Sequence, residues 1–176
     1  MTLPAAYAWL QGINSPRIIA EALKLYGVKE TPGAVNAPEI MGWARDLGLA
    51  QQYRGDVVAW CGLFVAIVVQ RAGWSPVTAP LWARNWATFG APSPEPGLGD
   101  VLVFRRESGG HVGIYIGEDA TAFHVLGGNQ GDSVSISRVA KVRLIAARRP
   151  LWRVSQPESV KRYHLAATGG LSQNEA

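Results

Sequence analysis

The sequence predicts an α+β domain, with helices first and an antiparallel sheet after them. Up to about residue 90, apolar residues recur at helical spacing between marked ends. Beyond the loop "APSPEPGLG" they fall into short β-branched runs separated by glycine-containing turns. Strands that follow one another through short turns form hairpins, and helices that precede them must pack on the resulting sheet.

The elements follow in order. "SPRIIAEALKLYGV" reads as a helix that Ser15 can cap, with Pro16 in the first turn and Gly27 at the stop. Ile19, Ala22, Leu23 and Tyr26 fall on one of its faces. "NAPEIMGWARDLGL" is a second helix, opened near Asn36 to Pro38 and closed at Gly48. The Cys61 segment of "DVVAWCGLFVAIVVQRAGW" is a third, with Trp60 and Cys61 in its first turn, ending before Gly73, and "PLWARNWATFG" is a short fourth, stopped at Gly90. "APSPEPGLG" is too rich in Pro and Gly for either regular structure. "DVLVF", "HVGIYIG", "TAFHVL", "SVSIS" and "VRLIAAR" are the strands. Trp82 and Trp86, at i and i+4, are expected on one helix face and in packing.

A chain of 176 residues suits one domain with a real core. The pattern occupies residues 1–153. Residues 154–176 read as a polar tail, expected to be partly disordered, above all in "TGGLSQNEA". The one cysteine excludes an intramolecular disulfide. The longest apolar run, Val57 to Val69, falls short of the roughly 20 residues a membrane helix needs. "MTLPAAYAWLQGINSPR" has no basic region ahead of its apolar residues and does not read as a secretory signal. Synthesis in the cytoplasm is expected, with action elsewhere only after release or delivery by another factor. The net charge is +4, and Lys141, Arg143, Arg148, Arg149, Arg153, Lys161 and Arg162 all lie late in the chain. That bias suits either an anionic polymer partner or a solvated face.

The lone cysteine, Cys61, opens a run that is apolar on every side, hence a buried helix. A thiol in a first helical turn feels unpaired N–H groups and the positive end of the dipole. Both favour thiolate, and the same N–H groups can hold an oxyanion. A buried core cysteine is the competing reading. His111 opens the strand "HVGIYIG" after "ESGG", where Gly113 leaves room beside it. Val112, Ile114 and Ile116 share one strand face and His111, Gly113 and Tyr115 the other. A cysteine and a histidine together make an activated nucleophile.

"WCGLFV", "GDVLVFRRESGGHVGIYIGED" and "VLGGNQGDSVSIS", in that order, resemble the papain-like cysteine hydrolases of bacterial cell walls, the NlpC and CHAP groups. The likeness is greatest to a compact phage-type, endolysin-like branch with a "GGNQ" signature. It runs from "EALKLYGVKETPG" to "VRLIAARRP", nearly the whole chain. The resemblance implies a papain-like fold in which the nucleophile helix packs on a small antiparallel sheet. It implies cleavage of an amide bond in the peptide part of peptidoglycan, by an endopeptidase or an N-acetylmuramoyl-L-alanine amidase. By resemblance Cys61 is the nucleophile, His111 the general base and Asn129 the group that orients the imidazole. Many NlpC-type members carry a histidine in that third role, which would fall here to His124. Tyr53 and Asp56 stand near the helix start as candidates for oxyanion or loop support.

The expected partner is bacterial peptidoglycan, met by a monomer, with neither nucleic acid nor a membrane span. No cofactor or metal is expected. A zinc site of Cys61, His111 and His124 would lack clustered ligand spacing. Two other classes stay open: a papain-like acyl or amide transferase, and a non-catalytic wall-binding or phage-tail protein.

Overall fold

The computed structural model describes residues 2–33, 35–107 and 109–172. Among them are three α-helices: α1 (Arg17–Lys24), α2 (Pro38–Asp46) and α3 (Cys61–Ala72). Short 3₁₀ turns span Ala5–Gln11, Ala83–Thr88 and Lys141–Arg143. The strands are β1 (Ala91–Pro92), β2 (Val101–Arg105), β3 (Gly110–Glu118), β4 (Ala122–Gly127), β5 (Ser135–Ala140) and β6 (Leu144–Arg149). They form one sheet in the order β1-β6-β2-β3-β4-β5, and every pair is antiparallel. The α+β expectation therefore holds.

Alternation along the strands sorts the core into two layers. Val101, Val103, Val112, Ile114, Ile116 and Leu126 join the helices in one cluster. Leu102, Phe104, Tyr115, Phe123, Val125 and Val139 form a second cluster on the other face. In α3 every residue from Cys61 to Val69 is buried, because α1, α2 and the sheet all press on it. Gly73, at φ 100°, ends that helix in the left-handed conformation.

Several local expectations change. Ser15 does not cap α1: Pro16 holds the N-cap position, and Ser15 Oγ donates to the carbonyl of Leu10 at 3.4 Å. The fourth helix is a 3₁₀ turn with about three residues per turn, so positions i and i+4 diverge. Trp86 is fully buried and donates from Nε1 to the Pro80 carbonyl at 2.9 Å, whereas Trp82 is exposed. Ala91 and Pro92 pair with Arg149 and Arg148 as a two-residue edge strand, where a sequence rich in Pro and Gly predicted none.

Beyond Arg153 the described residues contain no helix or named strand, yet they lie on the body. Glu118 N–H donates to the carbonyl of Tyr163, and Leu165 N–H donates back to Glu118, each at 2.8 Å. Tyr163 stacks on Trp9 with centroids 4.6 Å apart. Within "TGGLSQNEA", Gly169 and Ser172 bind Arg138, and residues 173–176 lie outside the described residues. No described helix is long and apolar enough to cross a membrane.

Candidate functional site

The start of α3 is built by its neighbours. Trp60, the N-cap residue, is fully buried and donates from Nε1 to Glu30 at 2.5 Å. Trp43 packs on it at 5.9 Å between centroids. Gly62 follows the cysteine because a side chain there would run into the carbonyl of Pro80. Gly128 is needed for a like reason: a Cβ would lie 2.6 Å from Phe64 Cβ and 2.7 Å from the Trp60 ring. The "GGNQ" turn is thus pressed against the first turn of α3.

Cys61 is 3% exposed. Burial pushes its thiol above the ordinary value. The N–H groups of Val112, Gly62 and Cys61 itself, together with the charge of Arg106, act in the opposite direction. The expectation that the helix start favours thiolate is therefore corrected: desolvation outweighs the backbone donors. Among the backbone groups that act against burial is the Val112 N–H on β3, the residue after His111.

His111 is fully buried at the head of β3 and stacks on Phe104 at 6.3 Å. Its Nε2 lies 3.0 Å from Oε1 of Gln130. The other end of that amide fixes the orientation. Gln130 Nε2 reaches the carbonyls of Ser135 at 2.6 Å and Val125 at 3.2 Å. Carbonyls only accept, so that end must be the NH₂ and Oε1 must face the imidazole. An oxygen accepts, so His111 Nε2 carries the proton and the basic lone pair of the neutral ring sits on Nδ1.

The partner of the imidazole is thus Gln130, rather than Asn129 or His124. Asn129 takes a left-handed conformation at φ 58°, and the next side chain, Gln130, is the one that reaches His111. His124 is fully buried elsewhere. Its Nε2 donates to Asp119 at 3.0 Å, and its Nδ1 accepts from Tyr7 Oη at 2.7 Å. The sequence offered Asn129 or His124 for this contact, and the hydrogen bond falls to Gln130, the residue after Asn129. The available signal was the extra methylene of Gln130, which lets one amide span from β3 to the carbonyls of β4 and β5.

Tyr53 and Asp56 serve the loop. Tyr53 Oη donates to the Val58 carbonyl at 3.1 Å, and burial raises its pKa. Asp56 accepts from Ala37 N–H at 2.7 Å and Thr31 N–H at 3.4 Å, while its own N–H donates to Asn36 at 3.1 Å. Asp56 is 4% exposed and acts as the anchor of the segment that leads into α3.

The late positive charge is largely spent inside the fold. Arg149 forks onto fully buried Asp100 at 2.8 and 3.0 Å. Arg148 donates to the carbonyls of Phe89 and Gly90. Lys141 and Arg162 both pair with buried Glu118. Arg153 is exposed.

Among the described residues, no three His, Cys, Asp or Glu side chains are grouped so as to hold a metal ion. Cys61 stands at the head of α3 and His111 at the head of β3, and α3 packs on β3. No protein-family model matches this chain, and no curated protein matches it at a significant level.

Proposed function

We propose that the protein is a papain-like cysteine hydrolase that cleaves an amide bond in the peptide part of bacterial peptidoglycan. The single observation behind this reading is the tautomer. The two carbonyls that fix Gln130 leave the basic nitrogen of His111 on Nδ1, and the N–H of the next strand residue, Val112, is among the groups that favour the Cys61 thiolate. A base held in one tautomer next to a thiol at a helix start is what acyl transfer to sulfur requires.

In this mechanism His111 Nδ1 takes the thiol proton as the sulfur attacks the substrate carbonyl. The oxyanion forms at the start of α3, where the first-turn N–H groups are available. His111 then protonates the leaving amine, and water hydrolyses the thioester. Gln130 takes the orienting role that Asn129 or His124 would hold by resemblance. Because the thiol is buried and its pKa raised, thiolate forms in concert with attack rather than as a standing ion pair. An endolysin-like role fits the resemblance to phage-type enzymes, with delivery to the wall by another factor.

The burial of Cys61 also suits a second reading, a non-catalytic wall-binding or phage-tail protein. Mass spectrometry of purified peptidoglycan after digestion separates the two and identifies the bond. New muropeptide products are expected from the parent protein and none from Cys61→Ser. Identical products from both would remove Cys61 as nucleophile. No products from either would leave the second reading.

A further inference from the structure

Asn129 is the one member of the "GGNQ" turn whose side chain the fold leaves unused. It is 4% exposed, and its Oδ1 is buried with no hydrogen-bond partner. A buried amide oxygen is unfavourable until a donor reaches it. The backbone at this position is left-handed, at φ 58°. Both neighbours are fixed against the site. Gly128 lies against Trp60 and Phe64 in the first turn of α3, and Gln130 holds the His111 ring. The residues on either side of Asn129 thus touch the start of the thiol-bearing helix and the candidate base.

We propose that Asn129 contacts substrate, its Oδ1 accepting a hydrogen bond from a peptide N–H of the bound wall peptide. This assignment rests on the hydrolase reading above and gives the site a specificity residue. The contact gives Oδ1 the hydrogen bond that no protein group supplies. A ligand that offers an N–H is favoured over one that offers an ester oxygen or an N-methyl group at the same place, since either would leave Oδ1 buried and unpaired. The interaction is made in the ground state and retained in the transition state. It therefore lowers KM rather than raising kcat.

The test compares Asn129→Gly and Asn129→Asp with the parent protein on a soluble muropeptide. Glycine tolerates the left-handed backbone and removes only the amide, and aspartate keeps an acceptor oxygen. Asn129→Gly should raise KM about tenfold with kcat within about threefold of the parent. Asn129→Asp should keep KM within about threefold. In a Cys61→Ala background, the same order should appear in muropeptide binding by calorimetry. An unchanged KM in Asn129→Gly overturns the proposal. So does a loss in Asn129→Asp as large as that in Asn129→Gly, or a loss that falls on kcat alone. If Asn129→Gly does not fold, the Asn129→Asp result and binding by Asn129→Ser decide. A parent protein that cleaves while these variants behave alike keeps the hydrolase reading and discards this contact. A parent protein that leaves the muropeptide intact removes both.

Discussion

Gln130 Oε1 lies 3.0 Å from His111 Nε2, and the same amide is fixed from behind by the carbonyls of Ser135 and Val125. The glutamine thus transmits the geometry of two neighbouring strands to one imidazole. Gln130→Ala should lower kcat on the order of tenfold to a hundredfold and leave KM nearly unchanged, since the ring loses its fixed tautomer. Stability should fall by about 1–3 kcal/mol, because two carbonyls lose their donor. Steady-state kinetics with a urea titration would check both. A change confined to stability would make Gln130 structural only.

The thiol should be sluggish in the free protein. Cys61 is 3% exposed and burial raises its pKa. Iodoacetamide labelling at pH 7 should run slower than with a model thiol, and its rate should still be climbing above about pH 8.5, the ordinary thiol value. His111→Ala should slow it further. Fast labelling at pH 6 would instead mean a standing thiolate–imidazolium pair.

Acid should unfold the protein through Asp119 and His124. The guanidinium of Arg138 holds the Asp119 carboxyl far below the usual carboxylate range, and backbone donors and His124 add to this. Burial lowers His124, although Asp119 works against that. Both folded-state values lie below the unfolded ones, so the unfolded chain binds protons first as pH falls. The His124 contribution is present above about pH 6.5 and lost below it, and the Asp119 contribution is lost below about pH 4. Urea midpoints measured from pH 7 to pH 4 should fall. His124→Gln should flatten the upper part of that decline, and an unaltered slope would exclude His124.

Arg149 is a structural cation rather than a wall-binding one. Removing it would leave the carboxylate of fully buried Asp100 with only Ser93 Oγ and the Gly97 N–H as donors. Arg149→Ala should cost about 3 kcal/mol. Lysis of intact walls and cleavage of a soluble muropeptide should then fall together, in proportion to the folded fraction. Arg153→Ala, at an exposed position, should leave stability within about 0.5 kcal/mol. A larger loss on walls than on the soluble peptide in Arg149→Ala would restore a polymer-binding role.

The order of elements was legible in the sequence because local rules write it. Helical spacing, β-branched runs and the glycines at 27, 48, 73 and 90 mark α1 to α3 and β2 to β6. The positions of Cys61 at a helix head and His111 at a strand head follow from the same patterning. Tertiary structure alone decided which side chain meets His111. One left-handed residue, Asn129, reversed the alternation that a strand would have continued, and no spacing rule foretells that reversal. It also decided the state of the thiol. A helix terminus is a local feature that lowers a pKa, but the packing of α1, α2 and the sheet around α3 sets the desolvation that raises it. The late run of basic residues, readable as a charged surface, became fold contacts because Asp100 and Glu118 were buried within reach. Sequence fixes which groups exist and where each lies along its element. Burial and partner choice depend on what the rest of the chain places opposite.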